Sequence, residues 1–511
     1  MDLLLLILLS LTAALLGGLY LLGAFRQRRP GEPPLDKGPI PWLGHVLEFR
    51  RDTNKFLERM RKKHGDVFTI QLAGFYFTFL QDPLSFGAFT QESREKLDFV
   101  IFARRLVRQV FGFIGNDQDG LKTLHVASNK HLKGEGLKVL TEAMMSNLQN
   151  VMLHKLGSDS DRMSWNEDSL FMYSYNVVFR AGYLALFGNE PPSEGGEEEA
   201  KEKDRVESQD LFSEFRKYDQ LFPDLAYGVL PPRDRWEAER LKAHFWKALS
   251  VEKMKTKENI SRWIWDLKQS KEENGMEESM IDRYMFVLLW ASQGNTGPSS
   301  FWVLLFLMKH PDAMAAVKKE VDDVLRQSGQ SVQPGGPLVD LTSEMLLKTP
   351  ILDSIVEETL RLTAAPLLTR GVKVDMTIKM ADGRQYAIRK GDRMGMFPYR
   401  VLHLDPEIHP DPQSFKYDRF LNPDGTRKTD FYKGGTKLKF ATMPWGGGVS
   451  MCPGRFFAVN ELKQFVFLML VYFEFELKNP DEEIPQIDHK RWGFGSMQPT
   501  RDVPFRYRFR Y

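Results

Sequence analysis

The sequence predicts a mainly α-helical fold, a large helical body with a small β-sheet region, preceded by one N-terminal transmembrane helix. Three observations carry this: a nearly unbroken apolar run opens the chain, helix-period apolar patterns recur along most of it, and alternating segments are few and short. The apolar run is Leu3 to Phe25, LLLLILLSLTAALLGGLYLLGAF. As one helix it would reach about 35 Å, enough to cross a hydrocarbon core of about 30 Å. Arg26, Arg28 and Arg29 follow at once and favour a cytoplasmic position for the rest of the chain. No basic residue precedes the run and no small-residue cleavage site stands out, so an anchor over 1–25 is preferred to a removable signal peptide. Prolines at 30, 33, 34, 39 and 41 make 26–46 a stiff, basic, non-helical linker, which leaves 47–511 as one body.

Within that body, DVFTIQL and FYFTFL flank Ala73-Gly74 as a β-hairpin. Residues 194–210, EGGEEEAKEKDRVESQD, read as a solvated surface loop. DAMAAVKKEVDDVLRQ sets Met314, Val317, Val321, Val324 and Leu325 on one helix face. MTIKMADGRQYAI turns at Asp382-Gly383, and QFVFLMLVYF is a buried helical segment too short to span a membrane. Hydrophobic residues at 42% and charged residues at 27% are ordinary for a globular protein. A formal charge of +2 leaves no footprint for nucleic acid, and none is expected as a partner. One cysteine excludes an intrachain disulfide and any Cys-rich zinc site.

That cysteine stands in PWGGGVSMCPGR, residues 444–455. Gly446, Gly447 and Gly448 let backbone approach a flat partner closely. Pro453 suits a first helical position, so Cys452 sits at a helix start, where free amides and the helix dipole lower a thiol pKa. A glycine-lined loop presenting a thiolate is what a haem iron needs on its proximal side. Taken alone, the stretch is equally well read as a small buried thiol. Two further segments decide between these. In PILDSIVEETLRLTAAP, Glu358 and Arg361 share a helix face, and FKYDRFLNPDG puts Arg419 in an aromatic setting. A Glu358–Arg361–Arg419 cluster would clamp the segment leading to Cys452.

Helix E-T-L-R, then Y-D-R-F, then P-W-G-G-G-V-S-M-C-P-G-R, in this order, resembles cytochrome P-450, the haem-thiolate monooxygenase superfamily. The likeness runs from the anchor to the C-terminus and makes 47–511 a haem-thiolate catalytic domain. RRPGEPPLDKGPIPWLGH, RKKHGDVFT, LWASQGNTGPSSFW, DRFLNPDG and RWGFGSMQP resemble the branch of bile-acid sterol hydroxylases and prostacyclin synthase, the sterol 12α-hydroxylases above all. The resemblance implies haem b with Cys452 as axial iron ligand, and Trp445, Gly448, Ser450 and Gly454 in the haem loop. It also implies O2, electrons from NADPH through NADPH-cytochrome P-450 reductase, and an endoplasmic reticulum membrane location facing the cytosol. The implied reaction is 12α-hydroxylation of 7α-hydroxycholest-4-en-3-one in bile acid synthesis.

Several positions depart from the family pattern. Trp445 replaces the usual Phe, and Ser450 stands where Arg or His commonly binds a haem propionate. The early W-x-x-x-R is missing; Val126 and Lys130 take its places, which leaves Lys130, Arg370 and Ser450 for the propionates. The oxygen-activating stretch A/G-G-x-D/E-T-T reads Ala291 to Thr296 here, with Gly294 and Asn295 in the acid and alcohol positions. Pro298 cannot donate to the Gly294 carbonyl, so that carbonyl and the Asn295 amide, ahead of Thr296, are expected to hold a proton-relaying water. Trp290, one turn before Gly294, offers a flat wall and one N–H to a sterol. Ala365, Leu367, Ser496 and Met497 match segments that line the family's pocket. Arg455 and Lys463 are expected to attract the reductase. Prostacyclin synthase, which shares this branch and an Asn in the matching stretch, keeps an alternative open: an isomerase rearranging a prostaglandin endoperoxide without O2 or reductase. A non-catalytic haem or sterol carrier is the remaining alternative.

Overall fold

The computed structural model describes residues 3–115, 120–154 and 164–510. Its N-terminal helix, Leu3–Leu21, is shorter than the sequence suggested, about 28 Å at 1.5 Å per residue. Gly23 takes a left-handed φ of 76° and ends the regular coil two residues later. Leucines 5, 6, 8, 9, 11, 15 and 16 are exposed along it, yet among the described residues no helix is long and apolar enough to cross a membrane. The proline-rich linker is not a free spacer. Leu35 and Asp36 retain their amides and pair parallel with Thr69 and Ile70, while Arg26 reaches Asp392 and Glu32 accepts from Arg389 Nη2 (2.8 Å).

The hairpin forms as expected, Val67–Leu72 against Phe75–Leu80, with Ala73 and Gly74 at positive φ in the turn. It extends into a six-stranded sheet through Arg393–Met396, Leu368–Val372 and Leu97–Asp98. The second predicted hairpin pairs Met376–Lys379 with Gln385–Ile388. A three-stranded sheet joins Phe473–Leu477, Pro504–Phe509 and Asn166–Ser169. Helices make up the remaining bulk. Pro311–Gln327 buries Val317, Val321, Val324 and Leu325 on the face read from their spacing.

The acidic stretch 194–210 is the clearest departure. It is not a loop: Gly196–Tyr227 is one helix of 32 residues. Glu197, Glu198 and Glu199 occupy its first turn, where the helix dipole favours anions, and Glu199–Lys203 at 2.7 Å is an i,i+4 pair. Its inner face buries Ala200, Asp204, Ser208, Leu211 and Phe212. Polar composition hid a stripe that only its period reveals.

Three helices position the cavity beside Cys452. Glu278–Gln293 and Thr296–Lys309 follow each other across it, with the break at Gly294-Asn295. Arg455–Tyr472 starts beside Cys452 and runs through the core, burying Phe465, Val466, Phe467 and Leu468. Gly454 caps it, so Pro453 stands just outside the helix instead of at its first position.

Candidate active site

Cys452 opens into a cavity of about 490 Å³, within the range of small-molecule sites. The loop that carries it is shaped by glycine. Gly448 has φ 65°, and a Cβ there would lie 1.9 Å from the Thr90 carbonyl oxygen, so no side chain fits. The Cys452 amide donates to the Trp445 carbonyl at 2.8 Å, closing the loop, and Arg455 Nη1 donates to the Cys452 carbonyl at 2.9 Å. The thiol departs from expectation: burial raises its pKa, and the amides of Gly454 and Arg455 pull it back only in part. A coordinated metal ion reverses that balance, because a ligating thiol is deprotonated outright.

Trp445, Gly446, Ser450 and Gly454 line the cavity from this loop. Arg370 lines it from the sheet. Its guanidinium is 2% exposed, donates to the carbonyls of Phe89 (2.7 Å) and Gly447 (3.3 Å), and has no carboxylate partner among the described residues. Burial, with Arg94 nearby, lowers its pKa to about 10. Lys130 is not part of this set. Its ammonium lies 3.1 Å from Asp266 and its side chain is two-thirds exposed, because the helix register turns position 130 to solvent. His125 of the same helix is instead close enough to Arg94 for its pKa to be lowered, by burial first and by that charge second. Arg94 and His125 were not anticipated.

The distal wall is built around the helix break. Asn295 Oδ1 accepts from the Ser496 amide at 2.8 Å, while its Nδ2 has no acceptor among the described residues and the side chain lines the cavity. The Gly294 carbonyl, freed by Pro298, does not face this amide. It accepts from the buried Tyr175 hydroxyl at 3.4 Å, so the expected water bridge between Gly294 and Asn295 is withdrawn. Ser299 Oγ and Ser496 Oγ are 3.0 Å apart and complete the polar strip.

A group absent from the expectations takes the acid's place. Glu461, from the helix that follows Cys452, is fully buried and is the sole carboxyl among the described residues that line the cavity. Burial raises its pKa well above the ordinary carboxylate range, which favours the protonated form. Gln293 Nε2 donates to its Oε1 at 3.4 Å, and Thr296 Oγ1 stands 3.4 Å from Oε2 and 3.0 Å from the Ser292 carbonyl. Protonated, Glu461 donates to Thr296, which donates onward to Ser292. One acid inside RFFAVNELKQFVFLMLVY was the signal.

Trp290 forms an apolar wall, stacked on Phe222 at 4.3 Å and tilted against Phe111 at 5.6 Å. Its Nε1 is buried without a hydrogen-bond partner. Leu367 and Ser496 line the cavity; Ala365 and Met497, both at 0% exposure, lie behind it as backbone joints. Ala365 N donates to Gly495 O (2.8 Å) and Met497 O accepts from Trp302 Nε1 (2.8 Å). Lys463 is buried as well, held by Asp353 (2.6 Å) and the Leu346 carbonyl, and so cannot present charge to a partner.

The charge cluster forms away from the cavity. Glu358 receives Arg361 Nε and Nη2 at 2.7 and 2.8 Å and Arg419 Nε at 2.9 Å. Arg361 Nη1 donates to the His403 carbonyl (2.7 Å), and His403 Nε2 accepts from the Met443 amide (2.8 Å), one residue before Pro444. The knot therefore reaches the thiolate loop through histidine.

The family model for cytochrome P-450 matches residues 33–505. The chain belongs to the cytochrome P-450 family. It is 50% identical over 500 residues to the 5β-cholestane-3α,7α-diol 12α-hydroxylase of Sus scrofa, covering 98% of this chain and 97% of the relative. It is equally 50% identical over 499 residues to the 7α-hydroxycholest-4-en-3-one 12α-hydroxylase of Homo sapiens, with the same coverage. Human prostacyclin synthase is 46% identical over 489 residues, covering 94% and 95%. A retinoic acid bound cyanobacterial structure shares the fold with a TM-score of 0.68 at 22% identity, covering 94% of this chain and all of its own.

A cytochrome P-450 carries haem iron, and the residues present fit it. The Cys452 thiol would hold the iron, Gly446, which lines the cavity at a φ of 73°, would let the loop lie close to a flat group, and the buried Arg370, with no carboxylate partner among the described residues, would neutralise a propionate.

Proposed function

We propose that this chain is a membrane-anchored sterol 12α-hydroxylase acting on 7α-hydroxycholest-4-en-3-one or a close sterol, with haem b held by Cys452 and electrons from NADPH through NADPH-cytochrome P-450 reductase. The observation that carries the sterol reading is the near-full-length identity to two 12α-hydroxylases, higher than to prostacyclin synthase. The exposed leucines of Leu3–Leu21, followed by Arg26, Arg28 and Arg29, support an endoplasmic reticulum anchor over 1–25 with 26–46 as linker and 47–511 facing the cytosol.

Haem bound through the Cys452 thiolate would supply oxygen activation, with the sulfur ligand favouring O–O cleavage. The chain's own residues do the rest. Cys452 would ligate the iron, Arg370 would neutralise a propionate, and Trp445, Ser450 and Gly454 would shape the seat. Phe99, Phe102, Leu106 and Trp290 make an apolar wall that excludes water. The unpartnered Trp290 Nε1–H, buried at the cavity wall, would turn toward a bound sterol and donate to its keto oxygen. Asn295 Nδ2 offers a donor to the distal space. Glu461 holds the proton that the missing acid–alcohol pair would have held, and passes it through Thr296 Oγ1, whose hydroxyl turns from the Ser292 carbonyl to the cavity.

Two variants test these roles. Trp290→Phe is expected to weaken binding of a 3-keto sterol about five- to tenfold, the worth of one hydrogen bond, and to leave a 3-deoxy analogue unaffected. Equal affinity and regioselectivity for both would remove the contact. Glu461→Gln is expected to keep the spectrum and sterol affinity but to lower product formed per NADPH by about a hundredfold, the low end of general-acid effects. Wild-type coupling in that variant would remove Glu461 from proton delivery. The function itself is tested by incubating protein, reductase, NADPH and a sterol panel and locating the new hydroxyl by NMR. Rearrangement of an endoperoxide without NADPH, and no sterol oxidation, would support the isomerase instead.

A further inference from the structure

On the other side of the Phe99–Phe111 helix lies a second cleft, of about 690 Å³. The helix divides its faces: Phe99, Phe102 and Leu106 line the catalytic cavity, whereas Arg105, Arg108 and Gln109 line this cleft. Arg235 and Lys242 enter from Pro232–Ala248, and Arg283 from Glu278–Gln293. Among the described residues the lining thus holds five cations against a single carboxylate, Glu239. Glu239 is taken by Lys242 at 2.7 Å. Arg283 donates to the Gly112 carbonyl (3.1 Å) and lies over Trp246, and Arg105 lies over Phe75. Arg105, Arg108 and Arg235 have no carboxylate partner among the described residues. So large a like-charge excess in a recess is a receptor for an anion.

The surroundings name the anion's source. Ile114 in the cleft is 43% exposed, and Val229 and Trp236, beside the lining residues Gly228, Leu230 and Arg235, are 47% and 71% exposed. Basic residues beside exposed Trp and aliphatic side chains make a membrane-interface composition. Next to Phe75, Tyr76 donates to the Gly23 carbonyl at 2.6 Å, just past the end of the apolar Leu3–Leu21 helix, so cleft and helix meet at the turn end of the Val67–Leu72 and Phe75–Leu80 hairpin.

We propose that this cleft binds the phosphate headgroup of an anionic phospholipid, and that headgroup binding steadies the Phe99–Phe111 helix, one wall of the catalytic cavity. The membrane location rests on the proposed function; the site itself is tested with short-chain lipids in solution, apart from any anchor. Full-length protein in neutral detergent would be titrated with dihexanoyl phosphatidylserine, dihexanoyl phosphatidylcholine and inorganic phosphate while hydrogen exchange is followed over 99–114 and 228–246. Phosphatidylserine is expected to slow exchange at a concentration about tenfold or more below phosphatidylcholine, with inorganic phosphate silent over that range. The exposed pair Arg108→Glu, Arg235→Glu should erase the preference, and Glu239→Gln should move the phosphatidylserine midpoint to lower concentration. Equal responses to the two lipids, the same protection by phosphate alone, or a preference kept in the double variant would each overturn the proposal.

Discussion

Cys452→Ser is expected to abolish the red-shifted Soret maximum that the reduced, carbon-monoxide-treated protein should show, and to lower sterol hydroxylation by at least about a thousandfold. Cys452 is the only thiol in 511 residues, so no neighbour can replace it as a soft anionic ligand. The loop itself should survive, since its closing bonds, Cys452 N to Trp445 O and Arg455 Nη1 to Cys452 O, involve only the backbone of residue 452. Haem content should accordingly remain measurable while the spectrum changes. A Cys452→Ser protein that kept both the red shift and turnover would mean that another group holds the iron.

This prediction rests on features legible before any coordinates. The glycine run, the lone thiol and the proline announce a close approach followed by a helix, because steric freedom and helix starts are written in local sequence. What stayed hidden depends on partners far along the chain. Lys130 and Lys463 look alike in sequence, yet Asp266 holds the first at the surface, whereas Asp353 and a carbonyl draw the second into the core. The freed Gly294 carbonyl was foreseen from Pro298, but not that Tyr175 would take it. Glu461 escaped notice because a charged residue is presumed solvated until the apolar residues around it are counted. Glu461, on the helix after the thiol, lines the same cavity as Asn295 and Thr296, so a carboxyl reaches that cavity although the motif itself holds none.

Glu358→Ala is expected to cost about 3 to 5 kcal/mol of stability and to lower haem retention with it. The carboxylate is the shared anion of two guanidiniums; without it Arg361, at 0% exposure, becomes an uncompensated buried cation. The loss propagates. Arg361 Nη1 also binds the carbonyls of His403 and Pro412, and the His403 ring and His409 Nε2 hold Met443 N and Ala441 O ahead of the thiolate loop. Since the Met443 amide donates to His403 Nε2, that ring carries its proton on Nδ1; His409 must donate from Nε2 to the Ala441 carbonyl. Burial lowers both pKa values to about 3, so both rings are neutral in the folded protein. In the unfolded chain they titrate near 6.5, and between about 3 and 6.5 the unfolded state binds the extra protons. Stability from this source is complete above about 6.5 and falls with falling pH, about tenfold in the folding equilibrium per pH unit per ring. His409→Gln, which keeps a donor for Ala441 O but no titratable ring, should therefore flatten the acid slope of the denaturation midpoint by about one proton. An unaltered slope in that variant, or a Glu358→Ala protein as stable and as haem-replete as the parent, would show that the knot does not govern the thiolate loop.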